Sequence, residues 1–453
     1  MTQPKLTTYT TNPLSACYDV KGFKLNRFMM RLTLSTGMML TGCANGPTTM
    51  QSNPSSNSAK EANTATLSPK QIINADTKPV VEANNQFGID LLQQLYRDGS
   101  KSNDNIFYSP YSLSTAMAMI YNAANGATQT QVKNTFHYPK LAVLQPGSAA
   151  LHQTFNQASN SYRLTSSNDL WVQQGLIPKP DFIKAVTIYH GASVTSLDFK
   201  HNPEVSRQTI NRYIASKTDN RIPSLLAKDS IRSDTTSVLT NAVYFKGEWQ
   251  SPFTLLNSQY EPFYTFHSKP ANVHMMIGVK DVNYYEDSLM QMIELPYKGD
   301  ELSMLMILPK AKDAQAMKTL VSGLSISTIN DWLKQSSIKE ISILMPKFKL
   351  ANDYAMKPLL SDMGMPLAFT DKADFSLFND TASLKIDNVF HQAVIEIDEK
   401  GTVAAAATGI TVVPVMASYN VEFIANHPFI FIIRDKRTNT FLFIGQLTEP
   451  DIN

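Results

Sequence analysis

Cysteine is nearly absent from this chain of 453 residues, which contains only Cys17 and Cys43. Both lie near the N-terminus, so the rest of the chain cannot be held by a disulfide framework. The same absence excludes a cysteine nucleophile and a cysteine-ligated zinc site after residue 43. The chain must therefore be stabilised by a hydrophobic core, for which its length and its 43% apolar residues are sufficient.

An excess of charge of either sign is also missing. The chain has 40 Lys and Arg residues and 38 Asp and Glu residues, for a net charge of +2. Five of the basic residues and one acidic residue lie in the first 43 positions, which leaves 35 basic and 37 acidic residues, a net charge of −2, in the remainder. A nearly neutral body offers no electrostatic footprint for nucleic acid, so we expect no such partner.

The common signatures of enzymes are absent as well. The chain contains no Gly-x-Ser-x-Gly, His-Glu-x-x-His, Gly-x-Gly-x-x-Gly or P-loop motif. We therefore predict that the protein is not an enzyme and has no catalytic residues, no metal site and no cofactor. After residue 43, no segment reaches the roughly 18 to 20 apolar residues that a membrane-spanning helix needs.

The N-terminal 43 residues have the layout of a secretory signal. Basic residues precede the mostly apolar stretch Leu32–Leu40, which is followed by Thr41-Gly42-Cys43. This ending resembles a bacterial lipoprotein signal, in which the cysteine becomes the lipidated first residue. On this interpretation Cys43 anchors an exported protein to a membrane of the cell envelope, in the periplasm or at the outer membrane, or the protein is extracellular.

Two features of this leader leave alternatives open. The apolar stretch is short and contains Thr33, Ser35 and Thr36, so a disordered polar leader with an incidental cysteine is the competing interpretation. The first 28 residues are long for the basic part of a signal, so Met29 or Met30 is an alternative start.

Composition divides the chain into three parts. Residues 1–43 form the leader, and residues 44–79 are rich in Ser, Thr, Asn and Ala with little that can form a core. We interpret residues 44–79 as a flexible tether. Residues 80–453 are predicted to form a single folded domain.

Hydrophobic periodicity predicts helices mainly in the first half of this domain and strands mainly in the second. Asn84–Tyr96 has a helical pattern, and Ser109-Pro110 is a typical helix start, with Gly126 as the predicted stop. The predicted strands are Val238–Phe245, Met292–Leu295, Leu302–Leu308, Ile341–Met345, Leu384–Ile386, Ala393–Ile397, Phe429–Ile433 and Phe441–Ile444. This order predicts the α+β class.

The most unusual segment follows the strand Ala393–Ile397. Residues 398–408 read Asp-Glu-Lys-Gly-Thr-Val-Ala-Ala-Ala-Ala-Thr, a run of very small side chains. Such a run is compatible with a flexible linker. Its position between two segments predicted to be buried sheet favours a loop that can later become a strand within an existing sheet.

Six motifs, in this order, carry a resemblance to a known family: Asn105–Pro110 (Asn-Ile-Phe-Tyr-Ser-Pro), Asn241–Trp249 (Asn-Ala-Val-Tyr-Phe-Lys-Gly-Glu-Trp), Pro346–Phe348 (Pro-Lys-Phe), His391–Ala393 (His-Gln-Ala), Glu399–Thr402 (Glu-Lys-Gly-Thr) and His427–Phe429 (His-Pro-Phe) with Gly445. Each is weak alone. Together they resemble the serpin family of serine protease inhibitors over residues 80–453.

The resemblance implies one domain of three β-sheets and eight or nine helices with an exposed reactive-centre loop. In this family the target serine protease cleaves the loop and is trapped as a covalent acyl complex when the loop inserts into the main sheet. Serpins are a standard example of strain that is released by loop insertion. The implied protein is a monomer and an irreversible suicide inhibitor.

The resemblance also implies which residues form the hinge of the reactive loop: Glu399, Gly401, Thr402, Ala404, Ala405, Ala406, Ala407 and Thr408. Alternation along an inserted strand places the following residues on its buried face: Thr402, Ala404, Ala406, Thr408, Ile410 and Val412. None of them is charged and none is proline, either of which would oppose insertion. Val403 stands where the family usually has an acidic residue, but it is expected to face outward. This hinge favours an inhibitor.

Family spacing places the scissile bond between Val415 and Met416, and the bond between Met416 and Ala417 is the nearest rival. Valine suits the small specificity pocket of an elastase, and methionine suits an elastase or a chymotrypsin-like pocket. No Lys or Arg lies between Lys400 and Arg434, so a trypsin-like target is not expected.

His391 is not expected to be a general base, because the chain offers no nucleophile motif beside it. The resemblance instead implies that it joins Ser109, Ser112 and Asn241 in a buried polar cluster, the shutter, where the main sheet opens. Trp249 matches the tryptophan at the breach, the top of the sheet where insertion begins. Plain core packing remains the alternative for His391 and Trp249.

A second function remains open for the whole chain. A serpin that does not inhibit proteases acts as a ligand-binding or chaperone-like module. The absence of a charged, bulky or proline residue from the buried face of the hinge argues against that alternative.

Overall fold

The computed structural model describes residues 7–8, 77–97, 102–156, 161–255, 258–266, 269–380, 384–402 and 421–450. Cys43 and the predicted tether up to residue 76 lie outside these residues.

The described part of the chain contains nine α-helices: α1 Thr77–Arg97, α2 Pro110–Ala123, α3 Gly126–Thr135, α4 Leu141–Phe155, α5 Pro180–His190, α6 Pro203–Lys217, α7 Ala314–Gly323, α8 Ile326–Gln335 and α9 Lys357–Asp362. None of these helices is long and apolar enough to cross a membrane.

The strands of the described residues are β1 Thr7–Thr8, β2 Ile106–Tyr108, β3 Tyr162–Gln173, β4 Ser193–Leu197, β5 Ser237–Glu248, β6 Gln259–Phe263, β7 Ala271–Glu286, β8 Met290–Pro296, β9 Leu302–Pro309, β10 Ser337–Pro346, β11 Phe348–Ala355, β12 Asn388–Asp398, β13 Gly401–Thr402, β14 Glu422–Ile424, β15 Phe429–Asp435 and β16 Phe441–Leu447. The mixture of helices and sheets confirms the predicted α+β class.

The first sheet, which we call the main sheet, has the strand order β1-β4-β3-β5-β13-β12-β11. Its two central long strands, β5 and β12, are parallel and pair directly from Val238–Asn388 to Tyr244–Val394. Beyond this stretch the two-residue strand β13 lies between them. The line along which β5 and β12 meet is called the seam below.

The second sheet has the order β14-β10-β7-β8-β9-β15-β16-β2, with β6 on β7. Strand β7 is 16 residues long and pairs with β6 near its start and with β8 near its end. Hydrogen bonding therefore runs without a break through β7, so two of the three sheets expected from the resemblance are joined here as one.

The main core lies between the two sheets. Phe443 of β16 packs against Phe245 of β5, with ring centroids 5.8 Å apart, and stacks on Phe107 of β2 at 5.2 Å. Helix α2 is buried in the same core, and Ser109 caps it by accepting a hydrogen bond from the Ser112 N–H. This confirms the helix start predicted at Ser109-Pro110.

A second apolar cluster covers the other face of the main sheet. Ile210 and Ile214 of α6 are fully buried there with Val238 and Ala242 of β5 and with Val394 of β12. The side chains of β5 therefore alternate between two apolar layers, which explains why its sequence is almost continuously hydrophobic.

Three secondary-structure predictions were wrong. Leu384–Ile386 is not a strand, because its backbone bonds to loops and hydroxyl groups instead of a ladder: the Ile386 N–H donates to Ala368 and Ser237 Oγ donates to the Lys385 carbonyl. Helix α1 begins at Thr77, seven residues before its predicted start.

The third error concerns Gly126. Helix α2 ends earlier, at Ala123, and Gly126 is the first residue of α3, where Asn125 accepts a hydrogen bond from its N–H. Its φ of +53° lies in the left-handed region, so a glycine favours this sharp connection between two helices.

Candidate functional site

The seam between β5 and β12 is closed along most of its length and parted at one end. Strand β13 parts it, with Gly401 opposite Glu248 and Thr402 opposite Gly247 of β5. On its other side, Thr402 pairs with Ile397 of β12. Thus two residues of the predicted hinge already lie inside the main sheet in this structure.

Gly401 enters the seam where only glycine fits. Its φ is +147°, and a Cβ atom there would lie 2.2 Å from the carbonyl oxygen of Gly247. The close approach of two backbones therefore explains the Gly-Thr pair at the start of β13.

Thr402 is fully buried beneath the parted end of the seam. Its Oγ1 lies 2.9 Å from the hydroxyl of Tyr297, and the Tyr297 ring stacks on Trp249 with centroids 4.7 Å apart. Burial raises the pKa of Tyr297, so its hydroxyl stays neutral. A small side chain with one hydroxyl group matches this position.

Trp249 and Phe253 hold the backbone of the hinge. The indole N–H of Trp249 donates to the Asp398 carbonyl at 3.0 Å, and its backbone N–H donates to the Lys400 carbonyl at 2.8 Å. The Phe253 N–H donates to the Glu399 carbonyl at 2.7 Å. Three consecutive carbonyls are thus bound by residues 249–253, which we call the hinge socket.

The Glu399 side chain is buried, with 2% of its surface exposed. Ser258 Oγ donates to its Oε1 at 3.0 Å, and the cationic Nζ of Lys347 lies 3.5 Å from Oε2. His274 Nδ1 lies 3.5 Å from Oε1. A buried carboxylate needs such partners, and Lys347 partly neutralises it.

His391 and Asn241 lie opposite each other across the closed part of the seam. Ser109 donates its backbone N–H to His391 Nε2 at 3.1 Å, so the ring proton is on Nδ1, which donates to Asn241 Oδ1. Both side chains are fully buried, and burial lowers the pKa of His391 to about 3. The ring is therefore neutral and both nitrogens have partners.

Asn241 connects this pair to Ser112 and to the neighbouring strand β3. Its amide donates to the Ser112 carbonyl at 2.9 Å and also contacts Asn168 Oδ1. Ser112 Oγ lies 2.9 Å from Ser166 Oγ. The structure thus brings all four predicted shutter residues together.

Several members of these clusters carry no signal in the sequence. Asn168, Ser166, Tyr297, Phe253 and Lys347 come from other strands or loops, and none has a local pattern that marks it as a partner. Lys347 belongs to the Pro-Lys-Phe motif, but nothing in that motif indicates that it faces Glu399.

The remaining predicted loop residues lie outside the described residues: Ala404, Ala405, Ala406, Ala407, Thr408, Val415 and Met416. Within the described ranges, no three His, Cys, Asp or Glu side chains are grouped as metal ligands.

Comparison with known proteins identifies the family. The sequence model of the serpin family, described as serine protease inhibitor, matches residues 82–450. The chain belongs to the serpin family. Serpins in general inhibit proteases and are not enzymes.

Three relatives show how far the similarity of this serpin extends. An uncharacterized serpin-like protein from Methanosarcina mazei is 37% identical over 403 residues, which cover 86% of this chain and 92% of the relative. The leukocyte elastase inhibitor of Bos taurus is 34% identical over 374 residues, 81% of this chain and 98% of the relative. The crystal structure of uncleaved ovalbumin superposes with a TM-score of 0.75 at 26% identity, covering 82% of this chain and all of ovalbumin. The predicted serpin fold is confirmed.

Proposed function

We propose that this serpin is an irreversible suicide-substrate inhibitor of a serine protease with an elastase-like or chymotrypsin-like pocket. The observation that carries the proposal is the position of β13, whose Gly401 and Thr402 already lie between β5 and β12. A hinge with no charge among the residues of its buried face, placed at the open end of an otherwise closed seam, is the starting point that insertion of the cleaved loop requires.

The register of β13 supports a specific position for each further loop residue after insertion. Thr402 is antiparallel to Gly247 of β5 and to Ile397 of β12, so each step forward along the loop moves one step back along both strands. Val412 then comes opposite Ser237, the first residue of β5, and opposite Asp387, just before β12 begins. Residues 403–412 would therefore fill the seam from end to end.

The side chains of this register match their neighbours. Ala404, Ala406 and Ile410 would each face a pair of buried apolar residues, one on β5 and one on β12: Phe245 with Ile395, Val243 with Ala393, and Leu239 with Val389. Thr408 would face Asn241 and His391, the polar pair of the seam. These three apolar loop residues thus meet apolar neighbours, and the hydroxyl group of Thr408 meets the two polar side chains.

Insertion explains how the protease would be inactivated. Residues 403–415, extended at roughly 3.3 Å each, would carry the acylated protease on the order of 40 Å toward the far end of the seam. Traction on the acylated serine disturbs the oxyanion hole and the catalytic triad, which together provide most of the rate of deacylation. Each new backbone hydrogen bond contributes about 0.5–1.5 kcal/mol, which makes the inserted state the more stable one. The uninserted state is therefore kinetically trapped.

The choice of target rests on the loop sequence. Val415, before the proposed scissile bond, suits a small pocket, and no basic residue lies between Lys400 and Arg434. The 34% identical relative from cattle carries the name leukocyte elastase inhibitor, which supports the same class of target.

We also propose that the protein is an exported bacterial lipoprotein with Cys43 as its lipidated residue. The basic, apolar and Gly-Cys order of the leader supports this, and residues 44–79 would tether the inhibitor to the cell envelope. An inhibitor held there would protect the envelope from external proteases.

The inhibitory proposal is tested by mixing the purified chain with an elastase and analysing the products by denaturing gel and intact mass. We expect a covalent adduct of protease and cleaved inhibitor and a released peptide that begins at Met416. Cleavage without an adduct, together with no gain in thermal stability of the cut chain, would refute the proposal and favour the non-inhibitory, ligand-binding or chaperone-like alternative.

A further inference from the structure

Lys280 of β7 is a buried lysine beside the hinge socket. Only 9% of its surface is exposed, and among the described residues no carboxylate lies within ion-pair distance of it. Its Nζ donates to the carbonyl of Ser251 and, at 3.1 Å, to the carbonyl of Pro252. The same Nζ lies 4.1 Å from the centre of the Phe253 ring.

The aromatic ring beside the ammonium group is itself held by local packing. Phe253 is buried, and its ring lies against the Lys280 ammonium group. Gly278, two residues earlier on the same face of β7, makes room for that ring, since a Cβ atom there would lie 3.0 Å from Phe253 Cδ1. Lysine and Phe253 are therefore fixed against each other.

The two carbonyls that Lys280 binds lie in the middle of the hinge socket. Ser251 and Pro252 stand between Trp249 and Phe253, the residues whose N–H groups bind the carbonyls of Asp398, Glu399 and Lys400. By binding the carbonyls of residues 251 and 252, the ammonium group restricts the distance between the donors on either side.

This arrangement costs stability. A buried ammonium group without a carboxylate loses its hydration, and two carbonyls replace it only in part. Burial accordingly lowers the pKa of Lys280 to about 8. Methionine fills a similar volume without the charge, so core packing alone does not require an amine at this position.

We infer that Lys280 is a positioning residue for the hinge, which holds the hinge socket in the geometry that keeps Gly401 and Thr402 inside the main sheet. This inference rests on the proposed inhibitory function, in which those two residues begin the insertion. Loss of the ammonium group would let the hinge leave the seam and would give the acyl-enzyme time to hydrolyse.

Few other charged groups face this lysine. Asp281 lines the same small pocket with Trp249, Leu295 and Pro296, but its side chain is exposed. Glu399 has other partners, since its carboxylate contacts Ser258 and Lys347. A change in stability near pH 8 that occurs in the wild type and not in Lys280→Met is therefore assigned to the Lys280 amine.

The test compares the full-length protein with Lys280→Met by amide hydrogen exchange and thermal unfolding. We expect residues 249–255 and 398–402 to exchange about tenfold faster in the variant, as expected for the loss of a charge-assisted hydrogen bond. The thermal midpoint of the variant at pH 7 should equal or exceed that of the wild type, because a buried charge has been removed.

The pH dependence separates positioning from packing. The folded-state pKa of about 8 lies below the ordinary value of 10.5, so between these values the unfolded chain holds the extra proton. Wild-type stability should therefore rise with pH relative to Lys280→Met across this window. A midpoint that falls in the variant, with faster exchange throughout the main sheet, would show a purely structural role and overturn the inference.

Lys339→Met is the matched control. Lys339 is an exposed lysine on the adjacent strand β10 that lies over the ring of Tyr284, and it does not touch the socket. The hydrogen-exchange pattern of Lys339→Met should equal that of the wild type. Unchanged exchange of residues 249–255 in Lys280→Met would equally overturn the inference.

Protease titration then links the socket to inhibition. Lys280→Met should need at least about twice as many moles of inhibitor per mole of elastase, since hinge release favours hydrolysis of the acyl-enzyme. If the wild type forms no adduct, the proposed function fails, whereas the exchange experiment, which contains no protease, still decides whether Lys280 positions the hinge.

Discussion

His391 of β12 and Asn241 of β5 are register partners across the seam, and their side chains are hydrogen-bonded to each other. No strand can enter between β5 and β12 without separating this pair. Ser109, at the start of α2, binds the other nitrogen of the His391 ring, so opening the seam also disturbs the link to the helix beneath it. On this face of the seam the neighbouring pairs Leu239–Val389 and Val243–Ala393 are apolar. A group that replaces the contact between His391 and Asn241 must be polar too.

The first prediction concerns acid. Burial lowers the pKa of His391 to about 3 from an ordinary 6.5, so between these values the unfolded chain binds a proton that the folded chain does not. The stability that this residue contributes is complete above about pH 6.5 and is lost as the pH falls toward 3. At pH 5 the loss should be about 2 kcal/mol.

Denaturant unfolding of the wild type and His391→Gln between pH 7.5 and pH 4.5 measures this. The difference in unfolding free energy between the two proteins should shrink as the pH falls. His190 is also buried with a pKa lowered to about 3, but it is present in both proteins and cancels in the difference. A difference that stays constant with pH would contradict the assignment.

The second prediction concerns Thr408 and the polar pair of the seam. In the proposed register Thr408 faces Asn241 and His391 after insertion, so its hydroxyl group would replace the contact that they lose. Thr408→Val keeps the shape and removes the hydroxyl. The cleaved form of this variant should be less stable than cleaved wild type by about 1–3 kcal/mol, the cost of a buried polar group without its partner, while the uncleaved forms should be equally stable.

Thr411→Val is the control for Thr408→Val, because residue 411 would face the opposite side of the inserted strand. Denaturant unfolding of the cleaved chains measures both. Equal losses in the two variants, or none in either, would show that the register is wrong.

The third prediction tests the anchor. Cys43→Ala removes the thiol that would carry the lipid, so the protein should lose its association with membranes when cells are fractionated. Cys17→Ala serves as the matched control and should leave the distribution unchanged. If Cys43→Ala associates with membranes as much as the wild type does, the lipid anchor is refuted. Cys43 is then an incidental cysteine in a polar leader.

Local sequence signals predicted the local structure well. Ser109 and Pro110 start a helix because the cap and the first-turn proline act within four residues, and β5 was recognised because both of its faces are buried. Leu384–Ile386 was misread because a short buried apolar segment looks like a strand even when loops, not strands, satisfy its backbone.

The partners within the site could not be predicted in the same way. Asn168 meets Asn241 through the pairing of β3 with β5, and Lys280 of β7 meets Ser251 in the loop that follows β5. These contacts depend on the order and register of the strands. The hydrophobic pattern within one segment specifies neither of them. The resemblance supplied His391 and Trp249, but it gave no reason to notice a buried lysine at position 280.

The last prediction is that Thr402→Arg converts the inhibitor into a substrate. Thr402 is fully buried, and its hydroxyl lies 2.9 Å from that of Tyr297, so a guanidinium group there would be buried without an anion. Burying an unpaired charge costs several kcal/mol, enough to slow insertion until the acyl-enzyme hydrolyses. Elastase should therefore cut the variant at the same bond and leave no adduct on a denaturing gel, and the cut chain should show no gain in thermal stability. Val403→Arg carries the same charge one residue later, where alternation along the strand turns the side chain outward, and it should still trap the protease. Trapping of the protease by Thr402→Arg, or loss of trapping in both variants, would refute the insertion mechanism in the proposed register.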